Sequence, residues 1–192
     1  MKVLHVFHSQ TGNTKKVAQT IELAVIESNC EITTVQAKAK GESNQIMDYD
    51  LVLIGSGVYG WLPGKPMMDW LAERAKESMS EFGGSGILQP GSPRKAGKYV
   101  GVYCTYGGSH TGINEAIPAV KYMGQLFDHL GFTIAAEWYI PGAYCVPKLK
   151  HHNTQGRLGD IRDRPNKNDL IAIAEKVKGL ISSITPSAHT MG

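Results

Sequence analysis

The chain of 192 residues has a formal net charge of +3, with 42% hydrophobic and 19% charged residues. This length supports a full hydrophobic core without disulfide or metal cross-links, and the small charge without a long Lys/Arg run argues against nucleic-acid binding. The three cysteines form no C-x-x-C pair, and the chain shows neither a signal peptide nor an apolar run of about 18 residues, so we expect a cytoplasmic protein without a membrane span.

Strands and helices are predicted to alternate along the chain. Near-continuous apolar runs that end in Gly or Ser indicate buried parallel strands, and apolar residues at helical spacing indicate amphipathic helices. The predicted strands span residues 3–8, 31–36, 50–57, 98–108 and 132–140, and the predicted helices cover 17–25, begin near Pro66 and Asn114, and span 169–182. The more polar strand 31–36 is expected at a sheet edge. This alternation predicts an α/β fold with three layers around a five-stranded, doubly wound parallel sheet.

Two long stretches interrupt the alternation. Residues 83–97 are rich in Gly, Pro and Ser, and residues 143–166 carry many charges. Loops of this length in a compact domain are often functional. We therefore expect a single domain over residues 1–184 with two insertions, followed by a flexible tail at 185–192.

The segment HSQTGNTKKVA at residues 8–18 follows the first predicted strand and leads into the first helix. Its hydroxyl and amide side chains are those of Ser9, Thr11, Asn13 and Thr14. Gly12 permits a tight turn, and the helix N-terminus adds unpaired N–H groups and a partial positive charge. The segment is therefore suited to bind a phosphate dianion without a lysine. Lys15 and Lys16 are expected to point into solvent, and an ordinary capped helix is the alternative interpretation.

The pattern S-x-T-G-N-T at this position resembles the phosphate loop of flavodoxins and flavodoxin-like FMN proteins. The resemblance extends over nearly the whole chain, through five strand–helix units in order. It implies the sheet order 2-1-3-4-5, FMN as the cofactor, and ligand loops after strands one, three and four. The FMN-binding residues that it implies are Ser9, Gln10, Thr11, Gly12, Asn13, Thr14, Gly57, Val58, Tyr59, Gly60, Trp61, Thr105, Tyr106, Gly107, Gly108 and Gly112.

Residues 52–66, VLIGSGVYGWLPGKP, contain two further fingerprints that their context contradicts. The glycines of GSGVYG match G-x-G-x-x-G, but a dinucleotide-binding turn needs a helix that starts within the glycines, and none is expected before Pro66. The Gly-Lys pair at 64–65 resembles the end of a P-loop. However, Tyr59 stands where the first P-loop glycine belongs, and Pro66 stands where its Ser or Thr belongs. Neither NAD nor ATP binding is predicted here.

Aromatic residues in the loops after strands three and four are candidates to stack on a flavin ring. The resemblance places Trp61 or Tyr59 on one face and Tyr106 on the other, and a plain surface aromatic is the alternative for Trp61 and Tyr59. Backbone N–H groups from Tyr106 to Gly108 are expected to bond the flavin carbonyls. His110 in the same loop is a candidate to stabilise negative charge on the flavin or to donate a proton, or it is a loop residue without a role.

Acidic residues are missing from the segments that contain the implied ligand loops, namely residues 1–21, 51–68 and 82–114. Carboxylates near a flavin disfavour added negative charge on it. We therefore expect a flavin that is easier to reduce fully than the flavin of acidic flavodoxins. The basic segment SPRKAGK at 92–98 is likewise unsuited to docking sites that are built for acidic carriers.

Three functions remain open from the sequence. The first, which we favour, is electron transfer through bound FMN with a redox partner protein, and the second is an FMN-dependent NAD(P)H:quinone-type oxidoreductase. A non-redox binding module of the same fold is the third. The insertions are expected to wall a substrate pocket or to support a homo-oligomer. The His151-His152 pair lacks nearby cysteines, so no metal site is predicted, and the charged residues of 157–164 are expected to pair with one another.

Overall fold

A computed structural model of the protein describes residues 1–38, 46–80 and 90–185. Its strands are β1 (Lys2–His8), β2 (Glu31–Gln36), β3 (Leu51–Tyr59), β4 (Leu62–Pro63), β5 (Tyr99–Tyr106) and β6 (Thr133–Pro141). Its α-helices are α1 (Asn13–Glu27), α2 (Lys65–Ser80), α3 (Ile117–His129), α4 (His152–Gln155) and α5 (Lys167–Ile184). Short 3₁₀ turns occupy Ile46–Asp48, Gly112–Glu115 and Pro147–Leu149.

The sheet has the strand order β2-β1-β3-β5-β6, and all five of these strands run parallel. The two-residue strand β4 pairs with the end of β3 in the antiparallel direction. Since β5 and β6 are the predicted fourth and fifth strands, the predicted order 2-1-3-4-5 is confirmed. The polar strand β2 lies at an edge, as expected, because only one of its sides is paired.

Helices cover both faces of the sheet. On one face α1 and α5 pack against a core that includes Val3, Leu53 and Trp138. On the other face α2 and α3 pack against a second core that includes Leu4 and Val102. Successive residues of β1 thus point into different cores, which is why this strand is apolar without alternation.

The helix termini follow local sequence signals. Asn166 caps α5 by accepting hydrogen bonds from the amides of Asn168 and Asp169, and the Asp169 carboxylate accepts from the amide of Asn166 in return. Gly131 follows the end of α3 with φ +82°, and the Phe132 amide donates to the Phe127 carbonyl. Both arrangements satisfy backbone groups that a helix end leaves open.

The basic segment 92–98 lies at the amino edge of the sheet, since it directly precedes β5. Arg94 pairs with Asp128 at 2.6 Å, and Lys98 lies 3.8 Å from Asp50. The segment is therefore remote from the carboxyl ends of the strands, where the predicted ligand loops lie. Its unsuitability for docking sites that are built for acidic carriers stays a prediction.

Parts of two other predictions fall outside the described residues. These parts are residues 83–89 of the first insertion and residues 186–192 of the predicted tail. The one-domain boundary at residue 184 stays a prediction, although α5 ends at Ile184. Within the described part of the chain, none of the helices has the length and apolar character needed to cross a membrane.

Candidate functional site

The candidate site is a cavity of about 430 Å³ at the carboxyl edge of the sheet, where β1, β3, β5 and β6 end. It lies where the chain leaves β1 in one direction and β3 in the other, which is the usual ligand position in open α/β sheets. The cavity is lined by Thr11, Asn13, Thr14, Gly57, Val58, Tyr59, Gly60, Trp61, Thr105, Tyr106, Gly107, Gly108, Glu115, Gly142, Ala143, Tyr144, Cys145, Val146 and Leu149. Two clefts of similar size, along α3, are lined by none of the predicted site residues.

The loop between β1 and α1 presents open backbone donors to this cavity. Gly12 adopts φ +99° and leads into α1. The Ser9 hydroxyl accepts hydrogen bonds from the amides of Gly12 at 3.2 Å and Lys15 at 3.1 Å. Among the described residues, the amides of Thr11, Asn13 and Thr14 have no protein acceptor, and these three residues line the cavity. Ser9 thus shapes the turn, whereas its neighbours supply the binding groups.

Two side chains of this loop also join it to other parts of the site. The Thr14 hydroxyl oxygen lies 2.8 Å from that of Thr105 at the end of β5, and both residues are buried. The side-chain amide nitrogen Nδ2 of Asn13 donates a hydrogen bond to the Ala143 carbonyl at 2.8 Å. Gly142 leaves room for this contact, because a Cβ there would lie 3.0 Å from the Asn13 side-chain nitrogen. These bonds hold the ends of β1, β5 and β6 in one constellation.

The glycines of the G-x-G-x-x-G match have structural roles. A Cβ on Gly55 would lie 2.1 Å from the Cζ atom of Tyr103, whose ring crosses β3 at this point. A Cβ on Gly57 would lie 2.8 Å from the Tyr59 hydroxyl. Helix α2 begins only at Lys65, after β4. As the sequence predicted, this segment does not form a dinucleotide-binding turn.

The predicted aromatic residues are placed differently from one another. Trp61 is 64% exposed and adopts φ +69°, a backbone conformation that is rare outside glycine and often marks a functional site. Tyr59 is half-buried, and this burial raises the pKa of its hydroxyl, although a hydrogen bond with the Gln10 backbone acts in the opposite direction. Tyr106 is only 7% exposed and belongs to the core, yet it also lines the cavity, and its role as a stacking ring stays a prediction.

The loop after β5 contains a carboxylate that the sequence reasoning missed. Glu115 lines the cavity, and its Oε1 atom accepts hydrogen bonds from the amides of His110 at 2.6 Å and Thr111 at 2.7 Å. Glu115 is the first residue after the acid-free stretch 82–114, so the boundary of that stretch was the available signal. Gly112 does not line the cavity; its amide donates to the Gly108 carbonyl and closes the turn.

The start of the second insertion forms a wall of the cavity, a role that was predicted only as one of two alternatives. The ring of Tyr144 packs over Gly107, where a Cβ would lie 2.2 Å from Cε2 of that ring. Asn153 fixes Tyr144 by accepting from its amide at 2.7 Å and by donating to its carbonyl at 3.1 Å. Cys145 lies close enough to Tyr59 to raise the pKa of the tyrosine hydroxyl, as a minor contribution.

His110 is exposed and lies outside the cavity lining, so its predicted chemical role has no geometric support. The ring centroids of His110 and His152 lie 5.5 Å apart in an edge-to-face arrangement, and those of His151 and His152 lie 4.0 Å apart. Desolvation and these two neighbouring histidines lower the pKa of His152. In the part of the chain that the structure describes, no three His, Cys, Asp or Glu residues are arranged to hold a metal ion.

Known proteins share the fold of this chain. A family model described as a flavodoxin domain matches residues 4–80. The structure superposes on flavodoxin 1 from Bacillus cereus with a TM-score of 0.65, at 14% identity, over 96% of this chain and 100% of that chain. The chain has the flavodoxin-like fold. The fold that the resemblance implied is thereby confirmed.

Two further solved structures have the same fold. The flavodoxin of Streptococcus pneumoniae TIGR4 gives a TM-score of 0.63 at 16% identity, over 95% of this chain and 99% of that chain. A protein titled flavone reductase gives a TM-score of 0.62 at 8% identity, over 100% of this chain and 65% of that chain. The flavodoxin-like architecture thus occurs both as a free-standing domain and within a longer chain.

Proposed function

We propose that this flavodoxin-like protein binds FMN in the cavity at the carboxyl edge of the sheet and transfers electrons through it. The observation that carries the proposal is the set of open amides at Thr11, Asn13 and Thr14, which face a cavity at the β1/β3 switch point. Flavodoxin itself is a standard example of ligand binding at this switch point.

The phosphate of FMN fits the loop between β1 and α1. Its dianion would accept hydrogen bonds from the three open amides and from the hydroxyls of Thr11 and Thr14, and the N-terminus of α1 adds a partial positive charge. Replacement of Ser9 would disturb this turn, because the Ser9 hydroxyl accepts hydrogen bonds from two of its backbone amides. The adjacent lysines Lys15 and Lys16 are exposed, in line with a phosphate site that needs no lysine.

The flavin ring fits the remainder of the cavity. Exposed Trp61 and half-buried Tyr59 supply flat surfaces on the side of β3, and Tyr144 supplies one on the side of β6. The backbone of residues 105–108 supplies polar groups between these walls. These residues bind and orient the ring and exclude water from it. FMN, when bound, supplies one- and two-electron redox chemistry that the side chains of the site do not provide.

Charged groups near the cavity affect the reduction potential of the bound flavin. Glu115 is the one carboxylate among the residues that line the cavity, so little negative charge opposes reduction of the flavin. Its Oε1 atom is held by two backbone amides, which spread part of its charge. The prediction of an easily reduced flavin therefore stands with one correction, namely the contribution of Glu115.

A redox partner protein is the proposed source or acceptor of the electrons. The second candidate function is reduction of a quinone-type acceptor by NAD(P)H. It is favoured by the wall that residues 142–149 build beside the cavity, since such a wall can enclose a substrate. The three free cysteines suit a reducing compartment, so we place either activity in the cytoplasm. Self-association stays a prediction from the insertions.

The phosphate site is tested by comparing FMN with riboflavin, which lacks the phosphate. Fluorescence quenching titrations should give a Kd for FMN at least about 100-fold lower than that for riboflavin, because two or more charge-assisted hydrogen bonds are lost without the phosphate. Thr11→Val should weaken FMN binding about tenfold through loss of one hydroxyl, with little effect on riboflavin. Thr20→Val on α1 is the matched control, because the Thr20 hydroxyl bonds only the Lys16 carbonyl. A protein that takes up no FMN would refute the proposal.

The two redox functions are separated by a reduction experiment without oxygen. The FMN-loaded protein is mixed with NADH or NADPH, and the absorbance of the oxidised flavin is followed. Electron transfer with a protein partner predicts no rapid loss of this absorbance, although dithionite removes it. Rapid bleaching by either pyridine nucleotide would instead establish the reductase.

A further inference from the structure

Exposed apolar side chains surround the mouth of the cavity. Trp61 and Leu62 follow β3, Val146 lies in the segment after β6, and Ile113 lies between the lining residues Gly108 and Glu115. These four come from three different loops, and the tertiary fold brings their loops to one rim. Clustered apolar exposure of this kind marks interaction sites more often than scattered single residues do.

Five exposed cations without an acidic partner in the described ranges belong to, or are hydrogen-bonded to, the loops that line the cavity. We call Lys15, Lys16, Lys148, Lys150 and Arg157 the cationic rim; all are exposed, and over the described ranges none lies within ion-pair distance of an acidic group.

The positions of these cations follow from their neighbours. Lys15 and Lys16 directly follow the lining residue Thr14, and Lys148 and Lys150 flank the lining residue Leu149. The Arg157 amide donates to the Ser109 carbonyl at 2.9 Å, next to Gly108 in the lining.

Acidic groups are scarce on the same rim. Residues 138–159 contain no Asp or Glu, and Glu115 is turned toward the backbone amides of its own loop. By contrast, Arg162 and Arg164 further along the insertion are paired with Asp160 and Asp169. The sequence expectation that all charged residues of this loop pair with one another is therefore wrong for Arg157.

We propose that the cationic rim and its apolar centre dock a small, acidic electron-transfer protein. An apolar centre inside a polar rim is the usual anatomy of a protein interface, and unlike charges on the two partners speed their encounter and set their orientation. An anionic lipid surface has a similar charge, but it would cover the cavity mouth without supplying a redox centre. The proposal rests on the proposed FMN function and adds the charge class of the partner.

The test measures binding of the FMN-loaded protein to a strongly acidic plant-type ferredoxin by calorimetry at 20 and 300 mM salt. Binding should weaken at least about tenfold at the higher salt concentration, because the contacts are charge pairs. Lys148→Gln/Lys150→Gln should weaken it about fivefold at low salt. Lys2→Gln/Lys176→Gln is the matched control: both lysines are exposed and have no acidic side chain in ion-pair distance among the described residues, Lys2 lies at the amino end of β1 and Lys176 in the middle of α5, and their loss should leave binding unchanged.

A second readout is the rate of electron transfer from reduced ferredoxin to the bound flavin. In this step ferredoxin is oxidised by one electron and the flavin is reduced by one electron. This rate should fall with rising salt, whereas transfer to basic cytochrome c should be slow and should rise with salt. The proposal is overturned by undetectable ferredoxin binding at 20 mM salt, by equal effects of the two double variants, or by preferred binding to cytochrome c or to vesicles of anionic phosphatidylglycerol. Failure of the FMN function is detected separately by gel filtration before any reductant is added, because a protein that does not bind FMN then elutes without the absorbance of oxidised flavin.

Discussion

The buried histidine of β1 should make the fold sensitive to acid. His5 is fully buried, and its Nε2 atom lies 2.9 Å from the Tyr103 hydroxyl, while its Nδ1 atom has no hydrogen-bond partner. Desolvation lowers the pKa of His5 from 6.5 to about 3. The native protein therefore keeps this ring neutral at pH values where the unfolded chain takes up a proton.

The size and sign of the effect follow from this difference in pKa. Above pH 6.5 the ring is neutral in both states and contributes no pH dependence. As the pH falls below 6.5, the unfolded state binds the additional proton, and stability is lost at about 1.4 kcal/mol per pH unit until the native ring also titrates near pH 3. The loss amounts to about 3.4 kcal/mol by pH 4 and approaches about 4.8 kcal/mol well below pH 3.

The perturbation is the double variant His5→Phe/Tyr103→Phe, which replaces the polar pair with two apolar aromatic rings. Urea unfolding with saturating FMN, at pH 7.5 and pH 4.0, gives the free energy of unfolding for each protein. The original protein should lose about 3 kcal/mol more than the double variant between these pH values, and His129→Gln, at an exposed histidine, should behave like the original. Equal losses in the original and the double variant would refute the reasoning.

Three further predictions address single contacts. Gly55→Ala should destabilise the fold by about 1–3 kcal/mol in urea unfolding, because the new Cβ would meet the Tyr103 ring, and unchanged stability would contradict the packing explanation of this glycine. Asn166→Ala should cost about 1 kcal/mol in the same assay by removing the cap that serves the Asp169 amide, whereas Asn166→Gly should cost less. Glu115→Gln should raise the midpoint potential of the bound flavin by about 30–70 mV in a redox titration. This is the effect of removing one unit charge at about 10–20 Å with an effective dielectric constant near 20. An unchanged or lower potential would contradict this prediction.

Much of the fold could be predicted because its signals are local. The apolar runs of β1 and β3 and the turn at Gly12 are contiguous in the chain, and each reports its own backbone conformation. The position of the phosphate loop followed as well, since it needs only a strand end and a helix start. The strand β4 was missed, because two residues are too short to show a period.

The candidate site could be predicted only in part. Residues of a single loop, such as Thr11 and Thr14, were found because the loop itself forms the binding surface. The burial of Tyr106 in the core was not predicted, since the sequence does not tell how much of its ring the neighbouring elements cover. Glu115 and Tyr144 were missed as lining residues, although Glu115 directly follows the acid-free stretch 82–114 and Tyr144 lies within the insertion 143–166.

The sequence by itself determined the alternation of strands and helices, the parallel sheet and the turn at Gly12 that begins α1, because these depend on side-chain periodicity and backbone freedom within a few residues. Only the tertiary structure decided that Tyr144 covers Gly107 and that the Asn13 side chain bonds the Ala143 carbonyl. Such contacts join residues up to 130 positions apart. They form only when the strand order has brought the carboxyl ends of β1, β3, β5 and β6 together, so no local pattern records them.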